Sequence, residues 1–237
     1  STNLTGSSTN YLRSIAVSAV SGNLIYAATF YGIWKTANGG TTWYSVKNGL
    51  PSSSAITGIC LHPTDSSIAW LTYSGYDAGK KVYKTIDGGK TWTNVVANIQ
   101  GLPKNTLVHH IEAGNFNKGT AYVVFEGHMK GDFNAYVYKT TDFGVTWTSL
   151  VTPDLTGFAR NIQEDYENEN LLFLGTETGL FITLDGGKIW SKFTNNMPAV
   201  AVHFIDLHKK TNDLVVATHG RGIIIIDDIS PLRQLNE

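Results

Sequence analysis

One eight-residue pattern occurs four times in this chain and constrains its fold more than any other feature. The copies are Thr36-Ala-Asn-Gly-Gly-Thr-Thr-Trp43, Thr85-Ile-Asp-Gly-Gly-Lys-Thr-Trp92, Thr140-Thr-Asp-Phe-Gly-Val-Thr-Trp147 and Thr183-Leu-Asp-Gly-Gly-Lys-Ile-Trp190. Each reads Thr-x-Asp/Asn-x-Gly-x-Thr-Trp, with Ile189 the single departure at the second threonine. Successive tryptophans stand 49, 55 and 43 residues apart. A fixed period of this size marks stacked supersecondary units, none of which can bury its apolar face alone. A lone Asp-x-Gly occurs in any hairpin, whereas four copies in register with a tryptophan define a repeat.

The residues between the copies read as strands. In the first unit, residues 12–18, 24–29, 32–36 and 42–46 are short β-branched and aromatic runs separated by Ser21-Gly22-Asn23, Tyr31-Gly32 and Asn38-Gly39-Gly40. The same order returns in residues 55–102, 107–153 and 159–197, and a last unit, 200–235, shows three such runs. No stretch of ten residues carries a helical apolar period. The predicted fold is all-β: four complete four-stranded antiparallel blades, beginning with residues 11–50, and a fifth with three clear strands.

The repeated box falls between the third and fourth strands of each unit, where the chain reverses. Asn38, Asp87, Asp142 and Asp185 are suited to accept hydrogen bonds from backbone N–H groups of the turn. Gly40, Gly89, Gly144 and Gly187 supply backbone freedom there. Trp43, Trp92, Trp147 and Trp190 are expected to pack on the turn and adjoining strands, covering the end of their own hairpin. All twelve are structural positions on this reading.

Composition narrows the function classes. The 237 residues hold 18 Lys and Arg against 19 Asp and Glu, a formal net charge of −1. Without a basic stripe the chain is a poor match for a phosphate backbone, so nucleic acid is not an expected partner. Apolar runs end after four or five residues, far short of the roughly 18 needed to span a bilayer as a helix. The single cysteine, Cys60, permits no internal disulfide, and its neighbours Ile59 and Leu61 predict a buried, inert thiol.

The four boxes resemble Asp-box, or BNR, repeats, found in sialidases, xyloglucanase-type glycoside hydrolases, sortilin-type receptor domains and photosystem assembly factors. The resemblance covers nearly the whole chain and implies a β-propeller. The closing segments, Arg160-Asn-Ile-Gln-Glu-Asp165, residues 170–181, residues 212–222 and residues 227–235, resemble the last blades of large secreted bacterial proteins of the sortilin-like, BNR-repeat "glycosyl hydrolase" kind. An extracellular or cell-envelope setting follows from that resemblance. So does the expectation that residues 1–237 form one Asp-box region at the C-terminal end of a longer chain. The alternative is a five-bladed ring completed by a terminal strand.

Candidate site residues lie in loops, where binding groups on rigid scaffolds concentrate. Two long connections, residues 73–80 and 126–134, join second to third strands and carry Tyr76, Asp77, His128, Asp132 and Phe133. The turn His219-Gly-Arg-Gly222 adds His219 and Arg221, able to meet a carboxylate or a sugar, although Arg221 could instead bridge neighbouring blades. The histidines show no zinc spacing, so no metal and no cofactor are expected. Sialidase chemistry lacks its arginine cluster. A two-carboxylate glycosidase has enough acids in Glu126, Asp132, Glu164, Asp165, Glu177 and Asp206, with nothing to pair any two, so no catalytic residue is assigned. The sequence therefore favours a non-catalytic module that presents loops to a protein or a glycan, with the rest of its own propeller or another subunit among the candidate partners. The alternative is a glycoside hydrolase, xyloglucanase-like or of another BNR-repeat type, or a fragment of one.

Overall fold

A computed structural model describes residues 11–30, 32–52, 55–73, 75 and 79–235. The chain divides into two compact units, residues 1–121 with 140–147, and residues 122–139 with 148–237. Every strand pairs antiparallel with its sequence neighbour, giving five meander sheets, the blades of a β-propeller.

In the first unit, one sheet is β1 (Leu12–Val17), β2 (Ile25–Thr29), β3 (Ile33–Thr36) and β4 (Tyr44–Ser45). The next is β5 (Ile56–Leu61), β6 (Ala69–Tyr73), β7 (Val82–Thr85) and β8 (Thr93–Asn94). The third sheet takes β9 (Leu107–Ala113), which falls in the first unit, with β10 (Ala121–Gly127), β11 (Asp132–Thr140) and β12 (Thr148–Ser149), which fall almost wholly in the second. In the second unit follow β13 (Ala159–Glu164), β14 (Leu172–Thr176), β15 (Gly179–Thr183) and β16 (Ser191–Lys192), then a sheet of β17 (Val202–His208), β18 (Asp213–Thr218) and β19 (Ile223–Ile226).

Sheets pack face to face on apolar side chains. In the first unit Tyr26, Ala28, Ile33 and Val46 are buried with Ile56, Ile59, Leu71 and Tyr83 of the next sheet. In the second, Leu171, Phe173 and Leu180 are buried with Val202, Ile205, Leu214 and Val216. Each such side chain, fully buried, contributes about 1.5–3 kcal/mol. Cys60 is half-buried rather than buried, and desolvation, with the Glu112 carboxylate second, pushes its thiol well above the ordinary range.

The box works as a small hydrogen-bonded knot. Thr85 Oγ1 donates to Asp87 Oδ1 at 2.8 Å and accepts the Gly89 N–H at 3.0 Å, while Asp87 Oδ1 accepts the Thr91 N–H at 2.9 Å. Thr36 with Asn38, Thr140 with Asp142 and Thr183 with Asp185 repeat the arrangement at 2.8, 2.8 and 2.6 Å. The knot holds the chain as far as the tryptophan, so each outer strand is only two residues long, shorter than the sequence predicts. The residue after it still pairs: Val46, Val95, Leu150 and Phe193 donate N–H to Ile33, Val82, Val137 and Leu180 carbonyls at 3.0, 3.0, 2.9 and 2.8 Å.

Trp43 lies against its own turn at Gly40, as the sequence reading expected, but the other three tryptophans reach the preceding sheet. Trp92 donates Nε1–H to the carbonyl of Val46, one sheet earlier, at 2.7 Å, and Trp190 does the same to Leu150 at 2.8 Å. Trp147 packs edge-on against Trp70, 6.0 Å between centroids. The box glycine makes this approach achievable. A Cβ on Gly89, at φ +87°, would lie 3.2 Å from Tyr26 and 3.3 Å from Val46, and one on Gly144 would lie 3.0 Å from Val95.

Two outcomes test this joint. Gly89→Ala combines left-handed backbone with crowding and should lower unfolding free energy by about 1–3 kcal/mol in denaturant melts, whereas Gly22→Ala, into open space, should not. The Asp142 carboxyl is held down at about 2, chiefly by hydrogen bonds from Thr146. Its folded value lies below the unfolded one, so its contribution is complete above about pH 4 and is lost as pH falls through 2. Asp142→Asn, the residue the first box already uses, should flatten stability between pH 4 and 2.

Candidate functional site

The first strands of four sheets share a defect. Pairing skips a residue between Leu12 and Ser14, Ile56 and Gly58, Ala159 and Asn161, and Val202 and Phe204. Each is a β-bulge, which bends the strand and re-aims the extra side chain. The bulged residues are Arg13, Thr57, Arg160 and His203. Three of them turn onto the residue just past the second strand. Arg13 lies over the Phe30 ring at 5.5 Å, Arg160 donates to Glu177, and the His203 ring lies 5.1 Å from that of His219.

In the second unit these contacts merge into one cluster. Arg160 donates Nε–H and Nη2–H to Glu177 Oε2 at 3.3 and 3.2 Å, and its Nη1 lies 4.0 Å from Glu126 Oε2. Glu126, nearly buried, also pairs with His128 Nδ1 at 2.8 Å. Beneath them the buried Phe158 ring takes the Arg160 guanidinium at 4.8 Å and stacks on the His128 imidazole at 4.6 Å and 7°. Phe133, 62% exposed, lies 6.2 Å from Phe158, and Met129, next to His128 in the chain, is 70% exposed. Burial, then the positive charges of Arg160 and His219, hold His203 below its ordinary 6.5, against the opposing pull of Glu177 and Glu126. The arrangement offers a guanidinium, three imidazoles and exposed apolar groups on a rigid base.

The Sortilin–Vps10 family profile, described as "Sortilin, neurotensin receptor 3", matches residues 31–152. The chain belongs to the Sortilin–Vps10 family. A xyloglucanase of Paenibacillus sp. is similar at 25% identity over 200 residues, covering 68% of this chain and 18% of that protein. Among solved structures, the GH74 enzyme of Niastella koreensis superposes with a TM-score of 0.70 at 22% identity, over 93% of this chain and 37% of that one. YCF48 from Cyanidioschyzon merolae superposes with a TM-score of 0.64 at 15% identity, over 95% of this chain and 69% of that one. At such identities the likeness establishes the propeller fold. This Sortilin–Vps10 family chain thus spans less than a fifth of the xyloglucanase's length and little more than a third of the GH74 enzyme's.

The structure brings three of the residues singled out from sequence, His128, Phe133 and His219, into this cluster. Asp132 is turned inward: it accepts from Tyr136 Oη at 2.7 Å and Asn134 Nδ2 at 2.8 Å. Burial pushes its carboxyl up, but those hydrogen bonds outweigh burial and leave it below the usual range. Arg221 is exposed and makes no ion pair among the described residues. Tyr76 and Asp77 lie outside the described residues. The long connection 126–134 is not a free loop, since β10 and β11 extend through it around the 3-10 turn His128–Lys130. Among the described residues no three His, Cys, Asp or Glu are grouped to hold a metal ion.

Phe158 and His203 were missed from sequence. Of the acids named for a two-carboxylate glycosidase, Glu164 accepts from Tyr122 Oη at 2.7 Å, and Asp165 holds Arg233. The available signal was a break in strand alternation. Residues of one sheet face recur at i, i+3 and i+5 in Leu12-Ile15-Val17, Ile56-Ile59-Leu61, Ala159-Ile162-Glu164 and Val202-Ile205-Leu207, a face that is exposed in the first of these strands and largely buried in the other three. That spacing marks a bulge.

Removing the guanidinium tests the electrostatic coupling. With a folded value below the unfolded 6.5, His203 favours the fold above that pH and weakens it as pH falls. Arg160→Ala should move the His203 midpoint upward in an NMR titration; an unchanged midpoint would disconnect the two groups.

Proposed function

We propose that this chain is a non-catalytic binding or assembly module, placed outside the cell or in the cell envelope, whose cluster around Arg160 faces a protein or glycan partner. The observation that carries this reading is the commitment of both carboxylates. A glycosidase needs one carboxyl group to protonate the leaving oxygen and a second to act on the sugar or on water. Here Glu177 and Glu126 are both drawn to the guanidinium of Arg160, and Glu126 to His128 as well. What is left facing outward is Phe133, Met129, His219 and Arg221, a recognition chemistry of rings, thioether and cation.

The likeness to a Paenibacillus xyloglucanase favours a second reading, a glycoside hydrolase or part of one. One pair of measurements separates the two. The purified chain is incubated with xyloglucan and other β-glucans while reducing ends are counted, and the same oligosaccharides and candidate proteins are titrated calorimetrically. The binding reading expects no reducing ends and a saturable isotherm weakened about ten-fold by Phe133→Ala, the loss of one ring contact. Hydrolysis abolished by Glu126→Gln or Glu177→Gln would replace it with the enzymatic reading.

A further inference from the structure

Each sheet that precedes a box provides a seat for it. On the first sheet, Val46 and Tyr26 receive Gly89, and the Val46 carbonyl receives the Trp92 N–H. Leu150 receives Gly187 and Trp190 in the same way, and Val95 receives Gly144. The next seat in register is Phe193, whose N–H meets the Leu180 carbonyl at 2.8 Å as that of Val46 meets Ile33.

The fifth sheet starts the same turn and then abandons it. The N–H groups of Gly39, Gly88, Phe143 and Gly186 bond the carbonyls of Asn23, Ser67, Gly119 and Asn170 at 2.8–3.0 Å, and Ile229 bonds Asn212 at 2.8 Å in the equivalent place. Four residues on, where the boxes carry tryptophan, stands Arg233. It belongs to the 3-10 helix Ser230–Gln234, forks onto Asp165 at 2.8 and 2.9 Å, and lies over Tyr166 at 4.6 Å. Beside Phe193 lies a groove of about 440 Å³, walled mainly by Ile182, Leu184, Ile189, Leu232 and Leu235, with Asp185 and Lys192 also among its lining. Its lining suits an apolar guest. Ile182, paired with Phe173, occupies the register of Lys35, which is paired with Tyr26 and bonds the Gly88 carbonyl of the following box at 2.8 Å.

We propose that this groove receives the indole of a tryptophan carried on an extended Asp-box-like segment of a partner chain. The segment pairs with β19, whose Ile224 and Ile225 hold the register of Trp34 and Lys35, the two residues that pair with β4. Its indole N–H donates to the Phe193 carbonyl. The occupant is fixed by the repeat itself, because indole fills the corresponding seats at Val46 and Leu150. This site is built from other residues than the Arg160 cluster and stands or falls separately.

A fluorescein-labelled peptide with the sequence of residues 84–95 is titrated against the chain by anisotropy, beside the same peptide carrying Trp92→Ala. The tryptophan peptide should bind saturably and about ten-fold or more tightly, since indole burial exceeds 1.4 kcal/mol. Ser191→Trp, at an exposed position on the groove wall, should abolish that binding with the thermal midpoint unchanged. Equal affinity of the two peptides, no binding, or indifference to Ser191→Trp would overturn the proposal. So would concentration-dependent self-association, in sedimentation, that Ser191→Trp removes, since it would seat a second copy there instead.

Discussion

The fold depends on the joint between a box and the outer strand of the sheet before it. A glycine with left-handed backbone brings the turn within van der Waals reach of Val46, Val95 or Leu150, and in two cases an indole N–H closes the contact on a backbone carbonyl. A two-residue outer strand offers little ladder of its own. What fixes each sheet's rim is therefore its successor's turn, which explains why threonine, carboxylate, glycine and tryptophan recur together. The threonine and the carboxylate hold the turn's shape, the glycine permits the approach, and the tryptophan makes the bond.

The bulged position of the first strand differs from sheet to sheet. A bulge there sacrifices one ladder pair and aims a side chain at the neighbouring turn. With arginine and glutamate at the two positions the result is the Arg160–Glu177 pair, with two histidines the His203–His219 contact, and with arginine and phenylalanine the Arg13–Phe30 contact. The extended hairpin of β10 and β11 then lays His128 and Phe133 over the same cluster in the second unit. The electrostatic character of the face is thus set by substitutions at two positions per sheet, without altering the apolar packing behind them.

The C-terminal segment shows the joint being replaced rather than lost. Ile229 keeps the turn's backbone hydrogen bond, but Arg233 takes the place of tryptophan and anchors on a fully buried Asp165. An isolated buried carboxylate would be costly; a bidentate guanidinium stacked on Tyr166 offsets that cost. The exchange anchors the 3-10 helix Ser230–Gln234 on the preceding sheet.

The repeat period, the blade content and the strand order were legible in the sequence, because strand alternation and turn residues are local properties. The three-strand final unit was legible for the same reason. The partner of each tryptophan was not. Trp92 and Trp190 bond carbonyls 46 and 40 residues away, and nothing near either residue names that carbonyl. The grouping of Glu126, His128, Phe158, Arg160, Glu177 and His203 was equally out of reach: it follows from bulges whose only trace is an altered apolar spacing. The sequence by itself determined which residues turn and which pair with their neighbours. Only the tertiary structure decided which charges meet, because packing sheet on sheet joins positions that backbone hydrogen bonding leaves unrelated.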